Sequence, residues 1–244
     1  SIYEKQEKGL FSNDKKLLTK NERINVKKKT LSNINKKGSP SNKQLKKLTK
    51  FYQQGLYDDA EKLALSIVEE FPYHQFSWKV LEASYKKNNK VLKSIDANKK
   101  LIELDLKNIE AKKNLASMFY NIGKFNEAKI IYNEIVSLNP NNAEALNNLG
   151  LCYKEMDDLK GAEKIFIKSI LVSPNIPGAY TNLSTIYLSL GRLMEAEEMA
   201  RKSLDINDKI SEFHNNLGII LQQQGRANEA KESFREAINL KPEF

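Results

Sequence analysis

From Ser41 onward, apolar residues recur at three- and four-residue spacing in paired runs. Between residues 143 and 176, Leu146, Leu149 and Tyr153 mark one stripe, and Leu159, Ala162, Phe166 and Ile170 mark a second. Met156-Asp157-Asp158 separates the two stripes and Pro174 closes the second. That pattern predicts two amphipathic helices joined by a tight turn. It repeats with a step of 34 residues, without insertion or deletion, over 41–74, 75–108, 109–142, 143–176, 177–210 and 211–244. A small residue returns at Ala60, Ser94, Ala128, Ala162, Ala196 and Ala230, and an aromatic or leucine at Phe51, Tyr85, Phe119, Tyr153, Tyr187 and Leu221. Proline closes four of the repeats, at Pro72, Pro140, Pro174 and Pro242. One hairpin cannot bury its own apolar face, so the expectation is an all-α solenoid of six stacked helix-turn-helix repeats.

The turns carry their own signal. Gly55, Gly123, Gly191 and Gly225 fall at the same offset, with Asn89 and Asp157 at the intervening steps. These types suit a helix C-terminus that needs positive φ. The small residue opposite, such as Ala196, lets the helices of a hairpin approach closely. A larger side chain there would overpack the contact by ~1–3 kcal/mol.

Charge divides the chain differently. Residues 1–40 hold 11 Lys and Arg against 4 acidic residues, and the remaining 204 hold 29 against 27. The net +9 is therefore mostly a property of the N-terminal arm. Lys27-Lys28-Lys29 and Lys36-Lys37 flank a polar stretch, and the arm reads as a solvated, disordered tail. A short helix is expected around Asn13–Lys20, where Leu17 and Leu18 could dock on the first repeat. An electrostatic tether to nucleic acid or an anionic membrane is the competing reading. Arg23, Tyr3 and Phe11 alone offer the arginine and aromatic interleaving that nucleic-acid arms use, so nucleic acid is disfavoured. No apolar run is long enough to span a bilayer. The lone Cys152 excludes an internal disulfide and fits a reducing compartment. The expectation is a soluble, cytoplasmic chain.

The repeats resemble the tetratricopeptide repeat family over 204 of the 244 positions. Asn147-Asn148-Leu149-Gly150-Leu151-Cys152-Tyr153, Ala227-Asn228-Glu229-Ala230 and Leu240-Lys241-Pro242 carry the likeness. The first two repeats depart most: Lys47, Glu82, Ser94, Asn98 and Leu106 replace the usual leucine, small, alanine, apolar and proline residues, and looser packing is expected there. The last three repeats look most like those of O-linked N-acetylglucosamine transferases and their bacterial relatives, on Asn-Leu-Gly or Asn-Leu-Ser in the first helix and the closing Lys241-Pro242-Glu243-Phe244. That likeness implies a right-handed superhelix whose concave face binds extended peptide. It also implies a catalytic region that commonly follows such repeats, of which nothing is present here.

A second periodicity is not required by packing. Asn114, Asn148, Asn182 and Asn216 each precede a core leucine, at Leu115, Leu149, Leu183 and Leu217, and so point away from the core. An amide offers both donor and acceptor, and a row of four could clamp a peptide backbone without reading its sequence. In the resembling transferases an asparagine ladder plays that role. Alternatively, each asparagine bonds the neighbouring helix or merely reflects an asparagine-rich chain. Lys46 and Val80 stand at this position in the first two repeats. Lys79, Lys113, Asn147, Thr181 and Asn215 are neighbouring groove candidates, with Lys86, Tyr120, Lys154, Leu188 and Gln222 one turn or two further along. The groove starts positive and ends neutral, Glu110, Glu144 and Glu212 diluting its charge, and a ligand with one acidic end would match that gradient. Lys79 with Asn114, or Lys113 with Asn148, reproduces only part of the chaperone-tail clamp of some tetratricopeptide domains, and that reading is rejected.

No catalytic constellation stands out, and no cofactor or metal is expected. His74 and His214 lack ligand-like spacing. Gly123-Lys124 has Met118 where a phosphate loop needs glycine. Trp78 fills an apolar slot, and Cys152 reads as core or groove wall. The chain therefore reads as a non-enzymatic scaffold for a protein or peptide partner, with the substrate-recruiting part of a protein glycosyltransferase as the alternative. The last hairpin leaves Ala230, Phe234, Ala237 and Ile238 without a following repeat. A fragment of a longer protein is the favoured explanation, and a homodimer through this uncapped end is the other.

Overall fold

The computed structural model describes residues 38–242; the arm up to residue 37, with the helix expected around Asn13–Lys20, and the last two residues lie outside the described residues. Among the described residues every regular element is an α-helix: α1 (Asn42–Gln53), α2 (Tyr57–Glu70), α3 (Gln75–Lys87), α4 (Val91–Leu104), α5 (Ile109–Asn121), α6 (Phe125–Leu138), α7 (Ala143–Glu155), α8 (Leu159–Val172), α9 (Pro177–Ser189), α10 (Leu193–Ile206), α11 (Ser211–Gln223) and α12 (Ala227–Leu240). Each 34-residue step thus supplies one hairpin.

Local chemistry fixes where the helices start and stop. Ser41 closes a capping box on α1, its hydroxyl accepting from the Gln44 N–H at 3.2 Å while its own N–H donates to Gln44 Oε1 at 2.8 Å. Asn108 and Asn142 cap α5 and α7 by accepting from Ala111 and Ala145 N–H. Pro177 opens α9, where a missing N–H costs nothing. All six expected turn residues take the left-handed conformation, including Asn89 (φ 56°) and Asp157 (φ 60°). At Gly191 (φ 72°) the chain turns so that the Arg192 N–H donates to the Tyr187 carbonyl at 2.9 Å.

The chain divides into two compact units, at Leu104 and Asp105. In the N-terminal unit, α1–α4 enclose Leu48, Ala60, Ala64, Ile67, Val68, Leu81, Tyr85 and Ala97. In the C-terminal unit, each helix of α5–α12 packs against the next, and the first helices α7, α9 and α11 touch one another in turn. Its core runs from Ala116, Tyr132 and Leu149 to Phe166, Leu183, Ile186, Ala200, Leu217 and Leu221. This chain-order stacking of hairpins is an all-α solenoid arrangement. Ala60, Ala128, Ala162 and Ala196 are completely buried, as their close-approach role requires. In α12, Ala230 and Ala237 are buried and Phe234 is half-buried, whereas Ile238 is 51% exposed.

A polar ladder ties second helices to the turns that open the next ones. Glu61 accepts from Lys90 Nζ at 2.7 Å, Glu163 from Arg192 at 2.8 Å and Glu197 from Arg226 at 2.7 Å, each pair separated by 29 residues. Burial by itself pushes the Glu197 carboxyl up, but hydrogen bonds from Arg201, Gln224 and Arg226 outweigh it and hold the group below its ordinary 4.5. Glu61 behaves alike: burial raises it, and Lys90 and Asn88 bring it below that value. A carboxyl lowered by folding contributes stability above its unfolded pKa and loses it as pH falls through the folded one. The melting temperature is therefore expected to hold from neutral pH down to about 5 and to fall below about 4.5. In Glu197→Gln that acid-side fall should be shallower, as read by circular dichroism melts across the range; an unchanged pH profile would remove Glu197 from the account.

Candidate functional site

The candidate site lies on the first helices of the C-terminal unit. Leu115, Leu149, Leu183 and Leu217 are all buried, which fixes the rotation of α5, α7, α9 and α11. The preceding residues, Asn114, Asn148, Asn182 and Asn216, are consequently carried to the rim of the core, where each is half-buried. Asn147 and Asn215 beside them are also half-buried. Leu151, one turn beyond Asn148, and Leu188, two turns beyond Asn182, pack partly on the core and leave apolar surface next to the amides.

The amides are not uniformly disengaged. Asn182 Nδ2 donates to Asn147 Oδ1 at 3.1 Å, linking α9 to α7. Asn148 lies close enough to the Tyr132 phenol to oppose the rise that burial gives it, to about 12. The amide groups of Asn114 and Asn216 make no hydrogen bond to a described residue. Two members of the row thus engage a neighbouring helix, and two keep their full capacity. An amide with one partner still has donor and acceptor sites to spare.

Charge on this face is paired off. Lys113 Nζ donates to Glu144 Oε2 at 2.7 Å, so the lysine that starts the groove is neutralised by the glutamate expected only to dilute it. The Tyr120 hydroxyl donates to Glu155 at 3.3 Å, and burial together with that carboxylate pushes Tyr120 up to about 12. Lys154 lies 3.9 Å from Glu155. What remains is a largely neutral amide-and-leucine surface. Lys79 belongs to the N-terminal unit, exposed on α3.

Residues with chemical potential elsewhere have structural roles. His74 caps α3, its Nδ1 accepting from the Ser77 N–H at 3.3 Å and lying 2.8 Å from the Ser77 hydroxyl. His214 Nε2 donates to the Asp208 carbonyl at 2.7 Å. Cys152 is fully buried, and burial pushes its thiol up to about 11, far from the thiolate a nucleophile needs. Trp78 Nε1 donates to the Pro72 carbonyl at 2.9 Å. Among the described residues, no group of three or more His, Cys, Asp or Glu is placed to hold a metal ion, and no helix is long and apolar enough to cross a membrane.

Three family models described as tetratricopeptide repeat match residues 110–142, 131–164 and 175–243, together just over half of the chain. No curated protein sequence matches it. Among solved structures, a tetratricopeptide repeat protein from Parabacteroides merdae superposes with a TM-score of 0.71 at 18% identity, covering 81% of this chain and 78% of its own. MamA follows at 0.60 and 23% identity, covering 67% and 95%. YrrB, described as a tetratricopeptide protein with an unusual peptide-binding site, superposes at 0.56 and 16% identity over 73% and 92%. At these identities the structures establish the fold alone, and none of the three is described as a glycosyltransferase.

Proposed function

Because the chain belongs to the tetratricopeptide-repeat family, we propose that it is a protein-interaction scaffold that holds an extended peptide along the first-helix face of its C-terminal unit. The observation that carries this reading is the row Asn114, Asn148, Asn182 and Asn216, half-buried beside a buried leucine in four consecutive repeats. At Asn114 and Asn216 the amide makes no hydrogen bond to a described residue, so packing alone does not account for it. An extended peptide presents N–H and C=O groups that amides can meet as both donor and acceptor, while Leu151 and Leu188 receive its apolar side chains. The Asn182–Asn147 bond pre-orients two of the amides, which lowers the ordering cost on binding. The likeness to YrrB agrees with a peptide ligand.

The test begins with random peptides displayed on phage and selected on the full chain. Replacing Asn148 and Asn182 together with alanine should weaken the selected peptides about tenfold or more, or ~1.4 kcal/mol. Asn148→Ala also removes its interaction with Tyr132, so its melting is measured alongside. Asn114→Ala and Asn216→Ala break no bond to a described residue, so binding lost in those variants with unchanged melting belongs to the ligand. Retained affinity in all of them would refute the amide row.

A further inference from the structure

The N-terminal unit carries a second surface of different chemistry. Helix α1 holds four lysines and α3 three, and all of them are exposed. The one carboxylate on these two helices, Glu82, is buried and turned toward the Ser94 hydroxyl at 3.1 Å. Lysines at the second helix of the following repeat are treated differently. Lys90 pairs with Glu61 at 2.7 Å, Lys99 with Asp96 at 3.7 Å and Lys100 with Glu103 at 2.9 Å. Among the described residues, Lys46, Lys50, Lys79, Lys86 and Lys87 make no ion pair. Lys87 instead lies over the Tyr57 ring, 6.0 Å from its centroid. Beside them Phe76 is 41% exposed, in edge contact with His74. Helices α1 and α3 pack against each other, which sets Lys46 on one beside Lys79, Lys86 and Lys87 on the other, all clear of the buried side of α3.

Cations held together without carboxylates repel one another, and an anionic partner relieves that repulsion. The chain's own residues 1–37 do not serve, since they hold 11 Lys and Arg against 4 acidic residues and carry the same sign. Two features select the kind of anion. Residues 38–104 contain no arginine, whose planar fork is the preferred reader of phosphate. Phe76 is the one exposed aromatic on α1 and α3, where single strands are gripped by a series of stacking rings. Ammonium groups around one apolar anchor match carboxylates around one apolar side chain.

We propose that the exposed face of α1 and α3 docks an acidic segment of a partner protein, rich in glutamate or aspartate, with an apolar side chain covering Phe76. Recognition runs along the segment and does not need its chain end. The lysines stand on α1 and α3 and the amides on α5, α7, α9 and α11, so variants in one set leave the residues of the other unchanged.

The probe is a fluorescein-labelled peptide of glutamates interrupted by phenylalanine, acetylated and amidated, titrated with the full chain by fluorescence anisotropy. Binding should weaken steeply with added salt. Lys46→Glu, Lys79→Glu and Lys86→Glu together should reduce it by about tenfold or more, with helicity retained. If that variant loses helicity, the three Lys→Gln changes replace it and must show the same loss. Alanine at Asn148 and Asn182 should leave this peptide unaffected. The proposal is overturned if the wild-type chain does not bind the peptide, or binds it as well after charge reversal. It is equally overturned if oligothymidine or phosphatidylserine vesicles bind more tightly and lose binding in the same variant.

Discussion

Phe166→Ala should cost the C-terminal unit ~3–5 kcal/mol, the toll of deleting a fully buried ring. The ring has no exposed surface, and it lies over Gly150 so closely that a Cβ there would sit 2.6 Å from Phe166 Cε1. The converse change, Gly150→Ala, forces the ring to move and should cost ~1–3 kcal/mol. Combining Gly150→Ala with Phe166→Leu exchanges volume across the contact, and the double variant should be more stable than the sum of the two singles implies. Urea denaturation followed by far-ultraviolet circular dichroism reads both midpoint and slope. The slope matters, because Phe166 also shares its core with Leu183 and Ile186 of the next repeat, and loosening that interface can uncouple the repeats and flatten the transition. Strict additivity in the cycle would show that the ring is not seated on the glycine.

The same contact recurs with its volumes redistributed. Gly218 faces Phe234 as Gly150 faces Phe166, with the added Cβ again 2.6 Å from the ring. At the same offsets Ala116 stands with Tyr132, Ser184 with Ala200, and Leu48 with Ala64, all of them buried. In four of these five pairs a large residue on one helix goes with a small one on the other, as close packing of a hairpin requires, and only Ser184 and Ala200 are both small.

This separates what the sequence makes legible from what it conceals. The step of 34, the helix pairs and the six positive-φ turns follow from local rules acting one residue at a time. Asn89 and Asp157 could be read as turn residues because their offset matches that of the glycines. Pairings across helices obey no such rule. The spacing of 29 between Glu61 and Lys90, Glu163 and Arg192, or Glu197 and Arg226 is visible in the chain, but it means nothing until a second helix is known to lie against the turn that opens the next one. Periodicity put Asn114, Asn148, Asn182 and Asn216 in one row. It could not show that Asn182 spends a donor on Asn147, or that Asn148 serves Tyr132. Lys113 looked like a groove cation because its partner, Glu144, stands 31 residues away in the next repeat.

The second repeat, whose Glu82, Ser94 and Asn98 break the family pattern, gives the other large expected effect. All three are buried and interlocked: Ser94 Oγ contacts Glu82 Oε1 at 3.1 Å, and Asn98 Nδ2 donates to the Ser94 carbonyl at 3.3 Å. Hydrogen bonds here offset a desolvation cost that apolar side chains would never incur, and well-packed apolar replacements of such clusters are commonly neutral or better. The third repeat shows what fits: Ala116, Ala128 and Tyr132 at the same offsets, also buried. Substituting Glu82→Ala, Ser94→Ala and Asn98→Tyr together should therefore stabilise the N-terminal unit by ~1–4 kcal/mol. Trp78, the only tryptophan, reports on that unit alone, so a urea titration followed by its fluorescence measures the gain. Glu82→Ala alone should destabilise, because it empties part of a buried site and leaves the Ser94 hydroxyl only its longer bond to the residue-82 carbonyl, at 3.3 Å. If the triple variant is also destabilised, the polar cluster is itself the better solution for this hairpin. Its departure from the repeat pattern would then mark a specific requirement of the N-terminal unit rather than tolerance of a poorer core.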